Sequence, residues 1–193
     1  MRQKNKTRMM IVASLALLLT LAGSLAYYVS TETAHNFIST GGVGVTIYEL
    51  ADPNNNGELV PFADITNVIP GDTYSKIPYV ENNDTEPVWV RATIALKAKL
   101  KSGEIVEIPD YEDFVTLNDL DENWSRTTDA YYYYNSALTA GEKTTPFFRS
   151  VTFSPKISDR YQDAEFTLTV TAEATQVANN GDSAKNANWT SED

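Results

Sequence analysis

The sequence predicts an all-β protein that folds as a two-sheet antiparallel sandwich of jelly-roll type. Two long stretches, residues 88–100 and 165–176, alternate apolar and polar side chains with a period of two. This alternation is typical of a strand with one face in a core and the other toward solvent. Turn signals rich in Pro, Gly, Asn and Asp separate these stretches from shorter strand-like segments. Two packed sheets bury the apolar faces together, in a jelly-roll or an immunoglobulin-like topology.

The first 26 residues have the three parts of a secretory signal peptide and are expected to form a signal helix. Residues 9–25 are almost wholly apolar, and Ser24-Leu25-Ala26 fits the small-x-Ala pattern of a cleavage site. We therefore expect a cut between Ala26 and Tyr27. A permanent membrane anchor is the alternative, but a spanning helix needs about 20 mostly apolar residues. The basic residues before the apolar stretch are Arg2, Lys4, Lys6 and Arg8.

Composition limits the classes of function that fit the mature chain. The 193 residues carry a formal net charge of −11, which disfavours a nucleic-acid partner because phosphates would be repelled. No cysteine is present, so an exported form cannot rely on disulfides. The sequence thus predicts a secreted protein that contacts the membrane only before cleavage and is stabilised by packing and hydrogen bonds.

The strand pattern runs through residues 38–176, which we interpret as one β-sandwich domain. Residues 43–48, 77–79, 105–108, 124–134 and 145–153 are the weaker strand candidates. Residues 109–122 predict a short helix in a loop, because Phe114, Leu117 and Leu120 recur at a spacing of three. Residues 177–193 are small and polar apart from Trp189, and they predict a disordered tail.

Aromatic residues provide candidates for an interface. Four tyrosines in a row, residues 131–134, would place alternate rings on opposite faces of a strand, one pair in the core and the other exposed. Exposed tyrosines and tryptophans bind sugars or neighbouring subunits. The candidates are Trp89, Tyr132 and Tyr134. An ordinary strand of high β-propensity, with Trp89 lying under a loop, is the alternative.

The loop at residues 52–63 is the best metal candidate in the sequence. Asp52, Asn54 and Asn56 match positions one, three and five of a calcium loop. The twelfth position is Ala63, where a bidentate glutamate belongs. An Asn-Gly hairpin between two strands is therefore the favoured interpretation.

No catalytic motif is evident, and the sequence predicts a protein that is not an enzyme and holds no cofactor. His35 is the single histidine, so a His-Glu-x-x-His zinc motif cannot be formed, and a Ser-His-acid triad would have to use His35. A cysteine nucleophile is impossible, and no Gly-x-Ser-x-Gly elbow occurs.

Three stretches in this order resemble the TasA/camelysin family of proteins exported by Gram-positive bacteria. They are NFISTGGVGVTIYEL after the cleavage site, NVIPGDTYSKIPYVENNDTEPVWVRATIAL from Asn67, and FTLTVTAEATQ from Phe166. The resemblance covers nearly the whole mature chain. It implies a jelly-roll sandwich, export through a SipW-type signal peptidase, and a role in fibres of the extracellular biofilm matrix or at the cell surface.

In such fibres the mature N-terminal strand of one subunit completes a sheet of the next, so the chain would be its own partner. The resemblance assigns the donor role to residues 27–37. In an extended conformation alternate residues of this segment share a face, and β-branched residues are frequent. The alternative is that residues 27–37 form a flexible leader or an edge strand within the same subunit. The named donor residues are Tyr27, Val29, Thr31, Thr33 and Phe37.

Two further functions remain open from the sequence. The name camelysin implies a secreted metalloprotease, although this chain lacks the zinc motif. A monomeric surface module that binds a ligand through its aromatic loops is the other.

Overall fold

The structure is an all-β fold, as the sequence predicts. A computed structural model describes residues 44–63, 68–157, 159–161 and 163–189, all within the second of two units, His35–Asp193. Every strand pair among these residues is antiparallel. The predicted signal helix lies outside the described residues. The strands are β1 (Val45–Ala51), β2 (Val60–Pro61), β3 (Thr73–Ser75), β4 (Ile77–Asn82), β5 (Val88–Lys99), β6 (Ile105–Ile108), β7 (Val115–Asn118), β8 (Trp124–Arg126), β9 (Tyr132–Tyr134), β10 (Ser150–Phe153) and β11 (Glu165–Gln176).

Three sheets are present in the described part of the chain. The largest has five strands in the order β11-β5-β9-β8, with β6 also paired to β5. The two smaller sheets have three strands each, in the orders β2-β1-β4 and β3-β10-β7. β5 pairs with β11 at all twelve positions, so β6 and β9 share its opposite edge. β5 is therefore the central strand of the largest sheet.

Backbone hydrogen bonds continue from one three-stranded sheet into the other. The segment before β10 runs antiparallel beside β4, and β3 leads into β4 with one residue between them. This segment joins the strands of the two sheets along one side of β4. The bonds run from Thr144 N to Val80 O, from Phe147 N to Pro78 O and from Lys76 N to Arg149 O.

The core confirms the alternation predicted for β5 and β11. The β5 side chains at positions 88, 90, 92, 94, 96 and 98 are buried, as are Val170, Ala172 and Ala174 of β11. Residues from all three sheets share this core, and Phe147 and Phe148 are its largest fully buried side chains. Each such side chain stabilises the fold by about 1.5–3 kcal/mol relative to an exposed one.

The short helix predicted within residues 109–122 is wrong. The segment holds a single 3-10 turn, Tyr111–Asp113, followed by β7. β7 pairs in register with β10, which supplies hydrogen bonds that a helix would otherwise make internally. Leu120 is 43% exposed, so the three apolar residues do not form a buried stripe. Tertiary pairing here overrides a local spacing that also fits a helix.

The structure also differs from the predicted disordered tail at residues 177–193. Residues 177–189, the C-terminal loop, fold through hydrogen-bonded turns, and Ala184 is buried within a small cluster with Trp89 and Tyr133. The composition misleads because a short polar segment can be ordered by an apolar surface beneath it.

Asn82 links the end of β4 to two other segments. Its side chain is fully buried, and its amide nitrogen donates to Glu86 O at 2.9 Å and to Leu138 O at 3.0 Å. Its Oδ1 accepts a bond from Asp84 N at 2.9 Å. The same residue therefore fixes the turn into β5 and the segment that runs beside β4.

We expect Asn82→Leu to lower the free energy of unfolding by roughly 3 kcal/mol, because the substitution removes three hydrogen bonds of a fully buried side chain. Urea unfolding followed by tryptophan fluorescence measures the change. Asn54→Leu is the matched control at an exposed position and should alter stability by less than about 0.5 kcal/mol. Equal stability of the two variants would contradict the assigned role of Asn82.

Candidate functional site

The outer edge of β11 from Glu165 to Ala172 is the longest unpaired strand edge in the described part of the chain. β11 has twelve residues, and each is in register with a residue of β5. No strand among the described residues pairs with its other edge. From Glu165 to Ala172, alternate N–H and C=O groups along that edge are therefore available to an added strand.

β11 lacks the features that usually protect an edge strand. Natural edges are blunted by short length, Pro, Lys or a bulge. β11 contains neither Pro nor Lys, and its pairing with β5 has no bulge. By contrast, the edge strand β2 has two residues and ends in Pro61. β11 is thus the edge best suited to strand addition.

A second unpaired edge lies next to β11. β1 contacts β11, and β2 pairs with β1 only at Leu50 and Ala51. Among the described residues no strand pairs with β1 at Val45–Tyr48 on the side away from β4. We call this edge of β1, together with the outer edge of β11 from Glu165 to Ala172, the open side. Phe166 and Leu168 of β11 pack against the core there but are only partly buried.

The predicted cleavage site and donor strand lie outside the described residues, and so does His35. This applies to Ala26, Tyr27, Val29, Thr31, Thr33 and Phe37.

The candidate calcium loop is a turn organised by its own carboxylate. The Asp52 oxygens accept bonds from Asn56 N at 3.0 Å and from Gly57 N at 2.8 Å. Asn56 bonds to Glu58 instead of pointing its side chain toward Asp52. Gly57 has φ +85°, a conformation that suits glycine in a hairpin turn. The geometry favours the hairpin interpretation of Asp52, Asn54 and Asn56.

Two searches for other kinds of site give negative results for the described residues. In the ranges that the structure describes, no three His, Cys, Asp or Glu side chains come together as a metal site. Within the same ranges, no helix is long and apolar enough to span a membrane.

Tyr132 and Tyr134 are core residues, so their prediction as exposed interface aromatics is wrong. Tyr132 is 4% exposed and Tyr134 is 7% exposed. The Tyr132 hydroxyl bonds to that of Tyr111 at 2.8 Å, and Tyr134 accepts a bond from Thr145 N at 3.2 Å. The predicted alternation is present, but this pair occupies the inner face.

Trp89 is also buried, at 7% exposure, and is not an exposed interface anchor. It lies on the outer face of the five-stranded sheet, in a cluster with Tyr133 and the C-terminal loop. The alternative that Trp89 lies under a loop is therefore confirmed. The sequence pattern did not predict that Trp89 is buried, because its neighbours on that face of the strand are polar. The segment that covers it comes from far along the chain.

Arg91 is the centre of an outer-face network that the sequence did not reveal. Its guanidinium bonds to Glu173 at 2.6 Å and 2.8 Å, and Arg91 and Glu173 are opposite each other across β5 and β11. The same group lies 3.9 Å from the Tyr131 ring centroid and 4.4 Å from that of Trp189. The alternation in the sequence predicts that Arg91 and Glu173 face outward. That they lie opposite each other follows only from the register between β5 and β11.

Compared with known proteins, the chain matches no protein-family model, no curated protein and no solved structure. The geometry of the described residues is therefore the main basis for a functional proposal.

The outer-face tyrosines predict a pH dependence. Burial, and then the hydrogen bond to Asp129, raise the pKa of Tyr133 above its ordinary value of 10.0. Burial and the charge of Glu173 raise the pKa of Tyr131 in the same direction. The folded state thus favours the neutral phenols. This stabilisation is complete below about pH 10 and is lost as the pH rises through the folded-state pKa values.

Tyr133→Phe should therefore remove one phenol that ionises later than an unfolded tyrosine. Absorbance at the tyrosinate band during alkaline titration measures this, with the guanidinium-unfolded chain as reference. If the substitution instead removed a phenol that ionises at or below the pH of an unfolded tyrosine, the buried position of Tyr133 would be contradicted.

Proposed function

We propose that the chain is a secreted structural protein, without enzymatic activity, whose copies assemble into fibres by N-terminal strand donation. The donated segment, residues 27–37 of one copy, adds to the open side of the next. The edge of β11 from Glu165 to Ala172, with which no described strand pairs, carries this proposal. Strand addition gains affinity from a row of backbone hydrogen bonds, each worth about 0.5–1.5 kcal/mol net.

The proposed donor matches the acceptor in length and in chemistry. It spans residues 27–37, long enough to cover the β11 edge from Glu165 to Ala172. Tyr27, Val29, Thr31 and Thr33 share one face of an extended strand, and β-branched residues suit a pleated surface. Such a strand would also cover part of Phe166 and Leu168, which gives an apolar contribution in addition to the backbone bonds.

Strand polarity favours a donor from another copy. Val45 pairs with Asn82 and Gln176 pairs with Val88, so β1 begins at the end of the molecule where β11 finishes. A segment that ran beside β11 and led straight into β1 would be parallel to β11. All described pairs are antiparallel, and antiparallel pairing is slightly more stable per residue. A second copy is free to supply that orientation.

The proposal extends to the fold and the family. The three sheets form two packed layers of jelly-roll type, supported by the bonds that join the smaller sheets along β4. The resemblance to TasA/camelysin proteins supports export through a SipW-type signal peptidase and a place in the extracellular matrix or at the cell surface. Cleavage after Ala26 then frees the donor strand, so the cut also acts as an assembly switch.

We expect purified protein beginning at Tyr27 to form filaments visible by electron microscopy, and protein lacking residues 27–37 to remain monomeric. Val29→Pro should slow assembly at least tenfold, because proline removes a backbone donor and disfavours central strands. Val29→Thr is the matched control and should assemble like the native chain, since it keeps a β-branched residue.

Filaments from the shortened protein would contradict strand donation, and so would the absence of filaments from both forms. Casein digestion with and without a chelator tests the metalloprotease alternative. Chelator-sensitive cleavage by the purified chain would overturn the non-enzymatic assignment. A monomer that binds glycans would favour the ligand-binding module.

A further inference from the structure

A groove with a volume of about 690 Å³ lies on the surface of the described part of the chain. It is lined by residues between 51 and 63 and by residues of the sheet β3-β10-β7 and of the segments beside it. Most of the lining residues between 51 and 63 are exposed, so the groove is open to solvent. Sites for small molecules usually have a volume of roughly 300–1,000 Å³. No described residue of β11 or of Val45–Tyr48 lines the groove, so it is separate from the open side.

The outer face of the sheet β3-β10-β7 consists of uncharged polar side chains. Alternation along β10 sends Val151 and Phe153 into the core and its other two side chains outward. The register adds one outward side chain from β3 and one from β7 to each of these, which makes two rows. The rows are Ser75, Ser150 and Asn118, and Thr73, Thr152 and Thr116. This face can therefore recognise a ligand by hydrogen bonds without a charge of its own.

Two hydroxyl groups of this face line the groove and keep a free donor. Ser75 Oγ accepts a bond from Asp52 N at 2.7 Å. Ser150 Oγ, on the neighbouring strand, accepts a bond from Asn118 Nδ2 at 3.1 Å. Neither hydroxyl donates to another group in the described part of the chain. Because a serine hydroxyl donates one bond and accepts two, both have capacity left for a ligand.

One carboxylate and one guanidinium lie beside these hydroxyls. Asp119 and Arg149 both line the groove, and Arg149 N donates to Asn118 O at 3.1 Å, which holds the two segments together. Both side chains are exposed, and neither makes a hydrogen bond or an ion pair with another described residue. The Asp52 carboxylate also lies at the groove, but it accepts its bonds from the turn that follows it. Asp119 and Arg149 therefore supply an acceptor and a donor of opposite charge.

Apolar side chains form another part of the lining. They are Val60 and Pro61 of β2 and Phe62, which follows them. Val60 is 42% exposed and thus presents apolar surface to solvent. The Phe62 ring is held in place, because the Lys76 ammonium lies 4.0 Å from its centroid. The groove thus combines an apolar surface with a few placed polar groups, as ligand sites in proteins usually do.

We infer that the groove binds a neutral oligosaccharide built of pyranose rings. Such a ring carries hydroxyl groups around its rim and apolar C–H groups on its faces. The rim hydroxyls pair with Ser75, Ser150 and the two charged side chains, because a hydroxyl both donates and accepts. The C–H faces pack against the apolar lining, where burial adds affinity. This function is additional to assembly and does not depend on strand donation.

The charges favour a neutral sugar over an anionic one. The chain carries a formal net charge of −11, which repels polyanions. At the groove the Asp119 carboxylate offsets the charge of Arg149, so an anionic sugar gains little from the guanidinium. A neutral sugar avoids the repulsion and can use both side chains as hydrogen-bond partners.

Isothermal titration calorimetry of the chain that begins at Tyr27 tests the inference. The probes are the neutral hexasaccharides cellohexaose, laminarihexaose and maltohexaose, each compared with its C6-oxidised, anionic form. Heat of binding is measurable whether the chain is monomeric or assembled. We expect at least one neutral probe to bind, and to bind at least about fivefold more tightly than its oxidised form.

Two variants locate the site, and each has a matched control. Arg149→Gln and Ser150→Ala should each weaken binding of the neutral probe at least about fivefold, because each removes a donor from the groove. Arg160→Gln changes another exposed arginine, and Thr116→Ala removes another exposed hydroxyl of the same sheet face. Neither of these two residues lines the groove, so both controls should bind within about twofold of the native chain.

Failure of all three neutral probes to bind would overturn the inference. Binding that both Arg149→Gln and Ser150→Ala leave unchanged would overturn the assignment to this groove. Tighter binding of an oxidised probe would overturn the neutral class of the ligand. Electron microscopy of the same samples judges the proposed function separately, since absence of filaments counts against strand donation while the calorimetry still decides on the groove.

Discussion

The pairing of β5 with β11 is the constraint on which the rest of the structure depends. It runs through twelve consecutive residue pairs, from Glu165 opposite Lys99 to Gln176 opposite Val88. Because side chains alternate between faces, a slip of one residue would turn every side chain of one strand to the wrong face. The observed register sends Val170, Ala172 and Ala174 into the core and leaves Glu173 opposite Arg91.

This same pairing creates the exposed edge. A long strand that pairs with one partner along its full length presents a row of backbone groups on its other side, and no described strand pairs with that row between Glu165 and Ala172. The other edge strands of the described sheets are shorter, with two residues in β2, three in each of β3 and β8, and four in each of β6 and β7. β4 has six residues, but the segment before β10 bonds to it along its outer side. β11 is long and contains neither Pro nor Lys, so its edge is prone to pair with another strand.

Period-two alternation was sufficient to predict the long strands. The predicted bounds, residues 88–100 and 165–176, agree with β5 and β11 to within one residue. Alternation depends only on local sequence, which is why it succeeds there. It does not show which face of a strand is buried in the core when both faces carry large side chains. In the run Tyr131–Tyr134, the core residues Tyr132 and Tyr134 were therefore predicted to be interface candidates.

Partners distant in sequence were beyond such local patterns. The helix expected around Leu117 became β7 because its hydrogen bonds go to β10, more than 30 residues later. The C-terminal loop was expected to be disordered from its own polar composition, yet its order comes from Trp89 and Tyr133 beneath it. The open side likewise depends on which strands pair, and the twelve-residue register between β5 and β11 is a property of the fold as a whole.

The open side and the C-terminal loop engage different parts of the same strand. A strand added along Glu165–Ala172 would bind the backbone groups of β11 in the plane of the sheet. The loop acts mainly on side chains that project from the outer face, and its bond from the Asn180 amide to Gln176 O lies beyond that range. The two therefore use different atoms of β11, and the loop has no need to leave before a strand is added. Arg91 and Asn180 hold β11 from the outer face. An autoinhibitory loop would instead occupy the edge itself, and loss of such a loop would speed assembly.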